Sequence, residues 1–230
     1  MPNTALCETW PQAILFDLDG TLTDAAPDIA ASLNEVLEKR GLPPFNLPTV
    51  KAMIGHGLPK LIERALAACD ATSHDMQPIL AEFTDIYSTR ATKLTRPFDG
   101  VEEILQYFRE AGVKMAVCTN KMQTVTDIIL RDLDLAKYFD AIIGARDGLP
   151  VKPDPAALFL ALEQLGVEAQ QAVMVGDSDA DAGAAKAAGM PVILSSLGYS
   201  TVSVRDLEPD AVIKHFSELP RSIDVMRALR

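Results

Sequence analysis

The sequence predicts an α/β protein, and three features of the chain lead to that fold class. Short apolar runs have the length of buried strands, segments with apolar residues at helical spacing separate most of them, and the runs do not alternate with polar residues. Strands of this type belong to parallel sheets covered by helices on both faces. The predicted core is therefore a Rossmann-like parallel sheet, with strands at residues 13–16, 113–118, 141–143, 172–175, 191–194 and 211–213.

The stretch between residues 24 and 96 departs from this pattern. Its apolar residues recur at helical spacing in three segments, and no strand-like run interrupts them. Pro43-Pro44 and Gly55-His56-Gly57 separate the predicted helices. We therefore predict two domains: an α/β core domain formed by residues 1–23 and 97–230, and an α-helical domain of residues 24–96 inserted after the first strand.

Charge and composition exclude several classes of partner. The chain is 48% hydrophobic and carries a net charge of -11, with a pI near 4.7, so it repels nucleic acids and anionic membranes. No apolar run approaches the roughly 20 residues of a membrane span. The first ten residues contain Glu8 but no lysine or arginine, unlike a secretory signal. We expect a cytoplasmic protein, and the sequence leaves monomer and homodimer both open.

The three cysteines, Cys7, Cys69 and Cys118, show no metal-type spacing. An odd number without a secretion signal argues against a disulfide framework. Cys118 lies in an apolar run, which predicts a buried and inert thiol.

Polar residues follow three of the predicted strands, where functional groups of parallel sheets gather. Asp17 and Asp19 follow the first strand, and their spacing of two places both carboxylates on one side of an extended chain. Thr119 and Asn120 follow the second strand, and Asp177 follows the strand at residues 172–175. Carboxylates brought together in this way repel one another unless a cation lies among them. Hard oxygen ligands suit Mg²⁺, so we predict a magnesium site.

Three other interpretations of these residues fit less well. A calcium-binding loop requires glycine at position six and glutamate at position twelve, and neither Asp17 nor Asp177 starts such a loop. Helix capping is a common role for aspartate and suits Asp24 or Asp179, but it does not explain two acidic strand ends of matching type. No G-x-S-x-G motif is present, which argues against a serine hydrolase.

Four motifs in order resemble the phosphatases of the haloacid-dehalogenase-like (HAD) superfamily, and the phosphoglycolate phosphatase branch most closely. The first, D-x-D-G-T, begins at Asp17, and the second, a threonine at a strand end, is Thr119 followed by Asn120-Lys121. The third is Lys152 before a proline, and the fourth is G-D-x-x-x-D beginning at Gly176. The resemblance covers essentially the whole chain, and the order of four motifs is more specific than any one of them.

The resemblance implies a role for each matching residue. Asp17 is the expected nucleophile and Asp19 the general acid and base. Mg²⁺ is expected to bind the carboxylates of Asp17 and Asp177 and the backbone carbonyl of Asp19. Three further residues, Thr119, Asn120 and Lys152, are expected to bind phosphate oxygens. The resemblance implies that Asp181 supports the water ligands of the metal from outside its coordination sphere.

The resemblance also implies that the helical insert is a mobile cap that closes over the substrate. Gly55-His56-Gly57 resembles the substrate loop of this branch, with hinges expected near Asp24 and Arg96-Pro97. Arg64 and Lys60 are candidates for binding a substrate carboxylate, although either is equally compatible with a solvated helix face.

The expected reaction is the hydrolysis of a small phosphate monoester, with 2-phosphoglycolate implied by the branch and glycolate and phosphate as products. Sugar-phosphate phosphatase or mutase, nucleotidase and pyrophosphatase activities remain open, because the cap sets specificity. Dehalogenases of the superfamily lack the second aspartate that Asp19 provides, and no cap lysine with apolar neighbours suggests a phosphonate hydrolase. The alternative outside the enzymes is a protein that binds a metal ion without catalysing a reaction. This alternative does not explain why Thr119 and Lys152 both occur in the motif order.

Overall fold

A computed structural model describes residues 10–230 and contains a six-stranded sheet within that range. All neighbouring strands of this sheet are parallel, and their order is β5-β4-β1-β6-β7-β8. The predicted α/β parallel sheet is confirmed. Its strands are β1 (Ala13–Phe16), β4 (Lys114–Met122), β5 (Ala141–Ala145), β6 (Ala172–Gly176), β7 (Val192–Ser195) and β8 (Ala211–Ile213), while β2 (Thr23–Asp24) and β3 (Arg96–Pro97) form a separate antiparallel pair.

Side chains along each strand point alternately to the two faces of the sheet. Both faces therefore carry apolar side chains, and helices cover both of them. In β1, Ile14 and Phe16 belong to the apolar cluster on one face, whereas Ala13 and Leu15 belong to the cluster on the other. The helices that follow the cap along the chain are α5 (Val101–Glu110), α6 (Gln123–Asp132), α7 (Ala156–Leu165), α8 (Asp179–Ala188) and α9 (Leu219–Ala228). Within residues 10–230, no helix is long and apolar enough to cross a membrane.

Residues 24–96 contain four helices joined by loops, with residues of β2 and β3 at the two ends. These helices are α1 (Ala26–Glu38), α2 (Leu47–Lys51), α3 (Leu58–Ala68) and α4 (Met76–Ser88). Their apolar faces pack together around Leu33, Ile62 and Phe83, each at most 2% exposed. The β2–β3 pair joins both ends of this segment at residues 24 and 96, where the hinges are expected. The division into a core domain and a cap domain stays a prediction.

The strand register brings the three polar strand ends together. Phe16, the last residue of β1, lies opposite Val117 of β4 and Val175 of β6. The residues that follow these three positions therefore emerge at one edge of the sheet. β4 is longer than the predicted strand at residues 113–118, because the chain stays extended to Met122 with an irregular register after Cys118.

Candidate active site

Three buried carboxylates form the centre of the site at this edge. Asp17 is 8% exposed, Asp177 2% and Asp181 fully buried, and one oxygen of each lies within 4.8 Å of the others. Like charges at this distance are unfavourable unless cations or protons compensate them. The cluster has the oxygen donors and the negative charge that a divalent cation requires.

Lys152 supplies one positive charge to this cluster. Its side chain is 1% exposed, and its Nζ lies 2.9 Å from Asp17 Oδ1 and 2.6 Å from Asp181 Oδ1. The same ammonium donates a hydrogen bond to the Cys118 carbonyl at 2.7 Å. A buried lysine with three oxygen acceptors is a structural counter-ion as well as a candidate phosphate ligand.

The pKa values of the cluster follow from its burial. Burial raises the pKa of Asp17 to about 6, opposed by the Lys152 ammonium and reinforced by the charge of Asp181. Burial, followed by the charges of Asp181 and Asp17, raises the pKa of Asp177 well above its usual range. Burial alone would lower the pKa of Lys152, but the Asp17 and Asp181 carboxylates hold it above its usual value. Without a metal ion, the folded site therefore favours the protonated forms of Asp17 and Asp177 more than solvent does.

The carboxylate of Asp177 is held by its neighbours in one position. Thr21 donates to Asp177 Oδ1 at 3.1 Å, and the backbone N–H of Tyr199 donates to Oδ2 at 2.7 Å. Gly20 and Gly198 lie so close that a Cβ on either would approach Asp177 Oδ2 to 2.5 Å and 2.0 Å. Sequence reasoning missed Gly198 and Tyr199, because no local pattern links them to a residue more than twenty positions earlier.

Asp181 already has protein partners for both carboxylate oxygens. Oδ1 binds Lys152, and Oδ2 accepts hydrogen bonds from the backbone N–H groups of Asp177 and Ser178 and from the Ser178 hydroxyl. Ser178 and Asp181 form the capping box of α8, a role that we had considered for Asp179. Both carboxylate oxygens of Asp181 are thus engaged by protein groups, and its supporting role outside the metal coordination sphere stays a prediction.

Asp19 lies beside the carboxylate cluster without joining it. Its Oδ2 is 2.5 Å from Lys121 Nζ, whereas its Oδ1 is buried and has no hydrogen-bond partner among residues 10–230. Lys121 was not predicted as a site residue. A signal was present, however, because Thr119 and Lys121 are two residues apart in an extended strand and so face the same side.

Thr119 and Asn120 are both buried at the end of β4 nearest Asp17. The Asn120 side chain bonds the backbone of Lys152 in both directions, at 2.8 and 2.9 Å, and donates to the Gly55 carbonyl at 3.1 Å. Its amide oxygen and nitrogen are thus engaged by protein groups. This side chain positions Lys152 and the cap loop, and the expected contact between Asn120 and phosphate stays a prediction.

Gly55-His56-Gly57 lies against the core at Asn120, and its role as a substrate loop stays a prediction. Gly55 and Gly57 have φ values of +120° and +82°, and a Cβ on Gly57 would lie 3.3 Å from the Asn120 carbonyl oxygen. His56 Nε2 is 3.4 Å from Asp179 Oδ2. The loop therefore requires glycine for its backbone conformation and, at Gly57, for its close approach to β4.

Arg64 contacts this loop but does not line the cavity that contains Asp17. Its guanidinium donates to the Met53 carbonyl at 3.0 Å and contacts His56 Nδ1 at 3.3 Å. It lines a second cavity of about 110 Å³, together with Asp19 and Asp177. Lys60 forms an exposed ion pair with Glu63, which is the solvated-surface alternative considered from the sequence.

A small cavity between the cap helices and the core opens onto the predicted catalytic groups. It encloses about 60 Å³, and its polar wall contains Asp17, Asp19, Thr119, Asn120 and Lys121. The opposite wall is apolar and comes largely from the cap, namely Ile29, Ile54, Leu58, Leu61, Phe83 and Tyr87.

Cys118 is fully buried, and burial raises the pKa of its thiol to about 12. The predicted inert thiol is thus supported. Cys69 and Cys118 are both free, and Cys7 lies outside the described residues.

The fold and the four motif positions define a hydrolase class, and comparison with known proteins gives the same result. The chain belongs to the haloacid dehalogenase-like hydrolases, whose family model matches residues 14–195. Among curated proteins, it is 39% identical to a phosphoglycolate phosphatase of Caulobacter vibrioides, over 91% of this chain and 89% of the relative. It is 40% identical to a phosphoglycolate phosphatase of Mesorhizobium japonicum, over 90% and 92% of the two chains. The chain is therefore a phosphoric monoester hydrolase of the HAD type, as predicted.

Solved structures give the same fold. A predicted phosphoglycolate phosphatase from Haemophilus somnus superposes with a TM-score of 0.85 at 27% identity, covering 94% of this chain and 99% of that one. CbbY from Rhodobacter sphaeroides, solved in complex with phosphate, gives a TM-score of 0.79 at 25% identity over 93% and 99% of the two chains.

Proposed function

We propose that this protein is a Mg²⁺-dependent phosphatase that hydrolyses 2-phosphoglycolate through a phospho-aspartate on Asp17. The observation that carries the proposal is that Asp17, Asp19 and Thr119 line one cavity, while Lys152 contacts Asp17 in the adjoining buried acidic cluster. The curated relatives named above support the choice of substrate.

The donor set fits a divalent cation that prefers oxygen. Asp17 and Asp177 would hold the ion, together with the backbone carbonyl of Asp19, and Gly20 and Gly198 leave the space for the Asp177 carboxylate that a Cβ at either position would occupy. When bound, Mg²⁺ supplies positive charge that neutralises phosphate oxygens and lowers the pKa values of the carboxylates.

In the first step, a carboxylate oxygen of Asp17 attacks phosphorus. The bond between phosphorus and the ester oxygen breaks, and Asp19 donates its proton to that oxygen, which releases glycolate. The Oδ1 of Asp19, which has no hydrogen-bond partner among the described residues, is the oxygen available for this transfer. Lys152 orients Asp17 and neutralises charge on the transferred group.

In the second step, Asp19 removes a proton from water. The water oxygen attacks phosphorus, the bond to Asp17 breaks, and phosphate leaves while the Asp17 carboxylate is restored. Thr119, which lines the cavity, donates a hydrogen bond to a phosphate oxygen in this proposal, and the apolar wall of the cap limits access of further water.

The cavity favours a small leaving group over the alternatives left open by the sequence. Its volume of about 60 Å³ and its apolar cap wall offer few partners for the hydroxyls of a sugar or for a nucleoside. Sugar-phosphate phosphatase or mutase, nucleotidase and pyrophosphatase activities are therefore the competing outcomes of the test.

The test is phosphate release from a panel of compounds with Mg²⁺ or with chelator. The panel contains 2-phosphoglycolate, hexose phosphates, nucleotides and pyrophosphate. We expect magnesium-dependent release with the highest kcat/KM for 2-phosphoglycolate. Magnesium-dependent release that favours another compound would overturn the substrate but keep the mechanism. No release from any compound, by folded protein that binds Mg²⁺, would favour a mutase or a binding module.

Magnesium should stabilise the protein in a pH-dependent manner. Because the folded-state pKa of Asp17 is raised to about 6 and that of Asp177 is also raised, protonated carboxyl groups favour folding at low pH. That contribution is lost as the pH rises through about 6, where the free carboxylates become available to the metal. At about pH 7.5, a Mg²⁺ concentration 100 times the Kd at that pH should add about 2.7 kcal/mol to the free energy of unfolding. The same Mg²⁺ concentration should add much less at about pH 5, because the protonated carboxyl groups bind the ion more weakly.

Thermal denaturation with Mg²⁺ or EDTA at both pH values measures this effect. Sodium chloride of matched ionic strength is the control for screening. Equal stabilisation at both pH values would contradict binding to the Asp17 and Asp177 carboxylates.

A further inference from the structure

Lys121 is the one cation among the described residues that line the small cavity. Its side chain is 5% exposed, and its Nζ lies 2.5 Å from Asp19 Oδ2. The Asp17 and Asp19 carboxylates share the polar wall with it, so the ammonium lies beside the group that protonates the leaving oxygen.

Tyr87 of α4 faces the same ammonium from the cap. Lys121 Nζ lies 4.7 Å from the centroid of the Tyr87 ring, a cation–π distance. The Tyr87 residue is 2% exposed, and its hydroxyl has no hydrogen-bond partner in the part of the chain from residue 10 onward. A buried hydroxyl without a partner destabilises a fold, which makes this one a candidate ligand donor.

The chemistry of 2-phosphoglycolate matches this pair. Its carboxylate lies two bonds from the ester oxygen that Asp19 protonates, so it is placed within reach of an ammonium bound to Asp19. The remaining wall from the cap is apolar, and a carboxylate buried against it requires a cation and a hydrogen-bond donor.

We propose that Lys121 and Tyr87 bind the leaving-group carboxylate and so determine substrate specificity. The Lys121 ammonium is shared between Asp19 and the substrate carboxylate, and the Tyr87 hydroxyl donates a hydrogen bond to that carboxylate. This inference rests on the proposed phosphatase function. Burial and the nearby Asp19 charge raise the pKa of Tyr87 well above its usual value, so the hydroxyl keeps its proton.

Arg64, the residue that the sequence favoured for this task, is less suitably placed. It does not line the cavity that contains Asp17 and Thr119, and its guanidinium is bound to the Met53 carbonyl and His56. It therefore provides the matched comparison for Lys121.

The experiment measures kcat and KM for 2-phosphoglycolate and for 2-hydroxyethyl phosphate, which has a similar size but no carboxylate. Wild type is compared with Lys121→Met, Tyr87→Phe and Arg64→Met. The ratio of the two kcat/KM values should fall about 100-fold in Lys121→Met and about 10-fold in Tyr87→Phe, mainly through KM for 2-phosphoglycolate. A variant that only displaces Asp19 should lower kcat/KM for both compounds by the same factor, so the ratio of the two values stays unchanged. A change in this ratio therefore reports binding of the substrate carboxylate.

The result that would overturn the inference is a ratio within about threefold of wild type in both Lys121→Met and Tyr87→Phe. A fall in the ratio in Arg64→Met alone would overturn it as well. Should Lys121→Met fail to fold, Tyr87→Phe decides, because removing an unpaired hydroxyl keeps the cap stable. A wild type that releases phosphate from neither compound contradicts the proposed function itself. A wild type that prefers another phosphate monoester overturns the inference together with the proposed substrate, but keeps the phosphatase mechanism.

Discussion

Replacing Asp17 with asparagine should abolish phosphatase activity while the protein stays folded. Asparagine has the same shape but cannot form the acyl phosphate, so we expect kcat to fall by about a thousandfold or more. The measurement is phosphate release at saturating 2-phosphoglycolate and Mg²⁺. Asp147→Asn, an exposed change of the same type, is the control and should keep full activity. Near-normal turnover by Asp17→Asn would exclude a phospho-aspartate at this position.

The same variant should be at least as stable as wild type without metal. The folded-state pKa of Asp17 is raised to about 6, so its charged form is unfavourable in the folded protein above that pH. Asparagine removes this charge, and the free energy of unfolding in EDTA at about pH 7.5 should rise by about 1 to 3 kcal/mol. The difference should disappear below about pH 4, where wild-type Asp17 is protonated in both states. Stabilisation by Mg²⁺ should decrease in the variant, since one of the proposed ligands is lost.

The sheet could be predicted from the sequence because its signals are local. The strands at residues 13–16 and 211–213 have the predicted bounds, and apolar runs of strand length mark the others to within a few residues. The strand that begins near residue 113 was predicted too short, because Thr119 to Lys121 are polar in sequence but stay extended beside β5. Apolar pattern alone does not reveal a strand that continues into an active site.

The centre of the site was predictable for a topological reason. Asp17, Thr119 and Asp177 follow strands that are neighbours in the sheet, so their positions in the chain determine their meeting point. The substrate side was not predictable in this way. Tyr87 reaches Lys121 only through the packing of α4 against the core, and Gly198 matters because of its distance from one carboxylate oxygen. Such contacts depend on three-dimensional packing between segments distant in sequence.

Replacing Lys152 with methionine should damage both stability and activity. Methionine is similar in length but leaves Asp17 and Asp181 without their shared ammonium in a buried cluster. Removing one partner from a buried ion pair costs about 3 to 5 kcal/mol, so the free energy of unfolding should fall by that amount in EDTA at about pH 7.5. Urea denaturation measures it, with Lys186→Met on the exposed face of α8 as the matched control.

The loss of stability in Lys152→Met should depend on pH and on Mg²⁺, whereas a loss caused by a packing defect should not. Without the ammonium, which lowers the pKa of Asp17, the folded-state pKa of that carboxyl rises further above about 6. The raised pKa favours folding at low pH, so stability should recover as the pH falls toward about 5. Saturating Mg²⁺ should also restore part of the lost stability, because the ion replaces the missing positive charge. Activity should stay at least about 100-fold reduced even with Mg²⁺, since the cation that contacts Asp17, and that we propose binds phosphate, is gone. A deficit that is independent of pH and Mg²⁺ would instead indicate that Lys152 acts through packing alone.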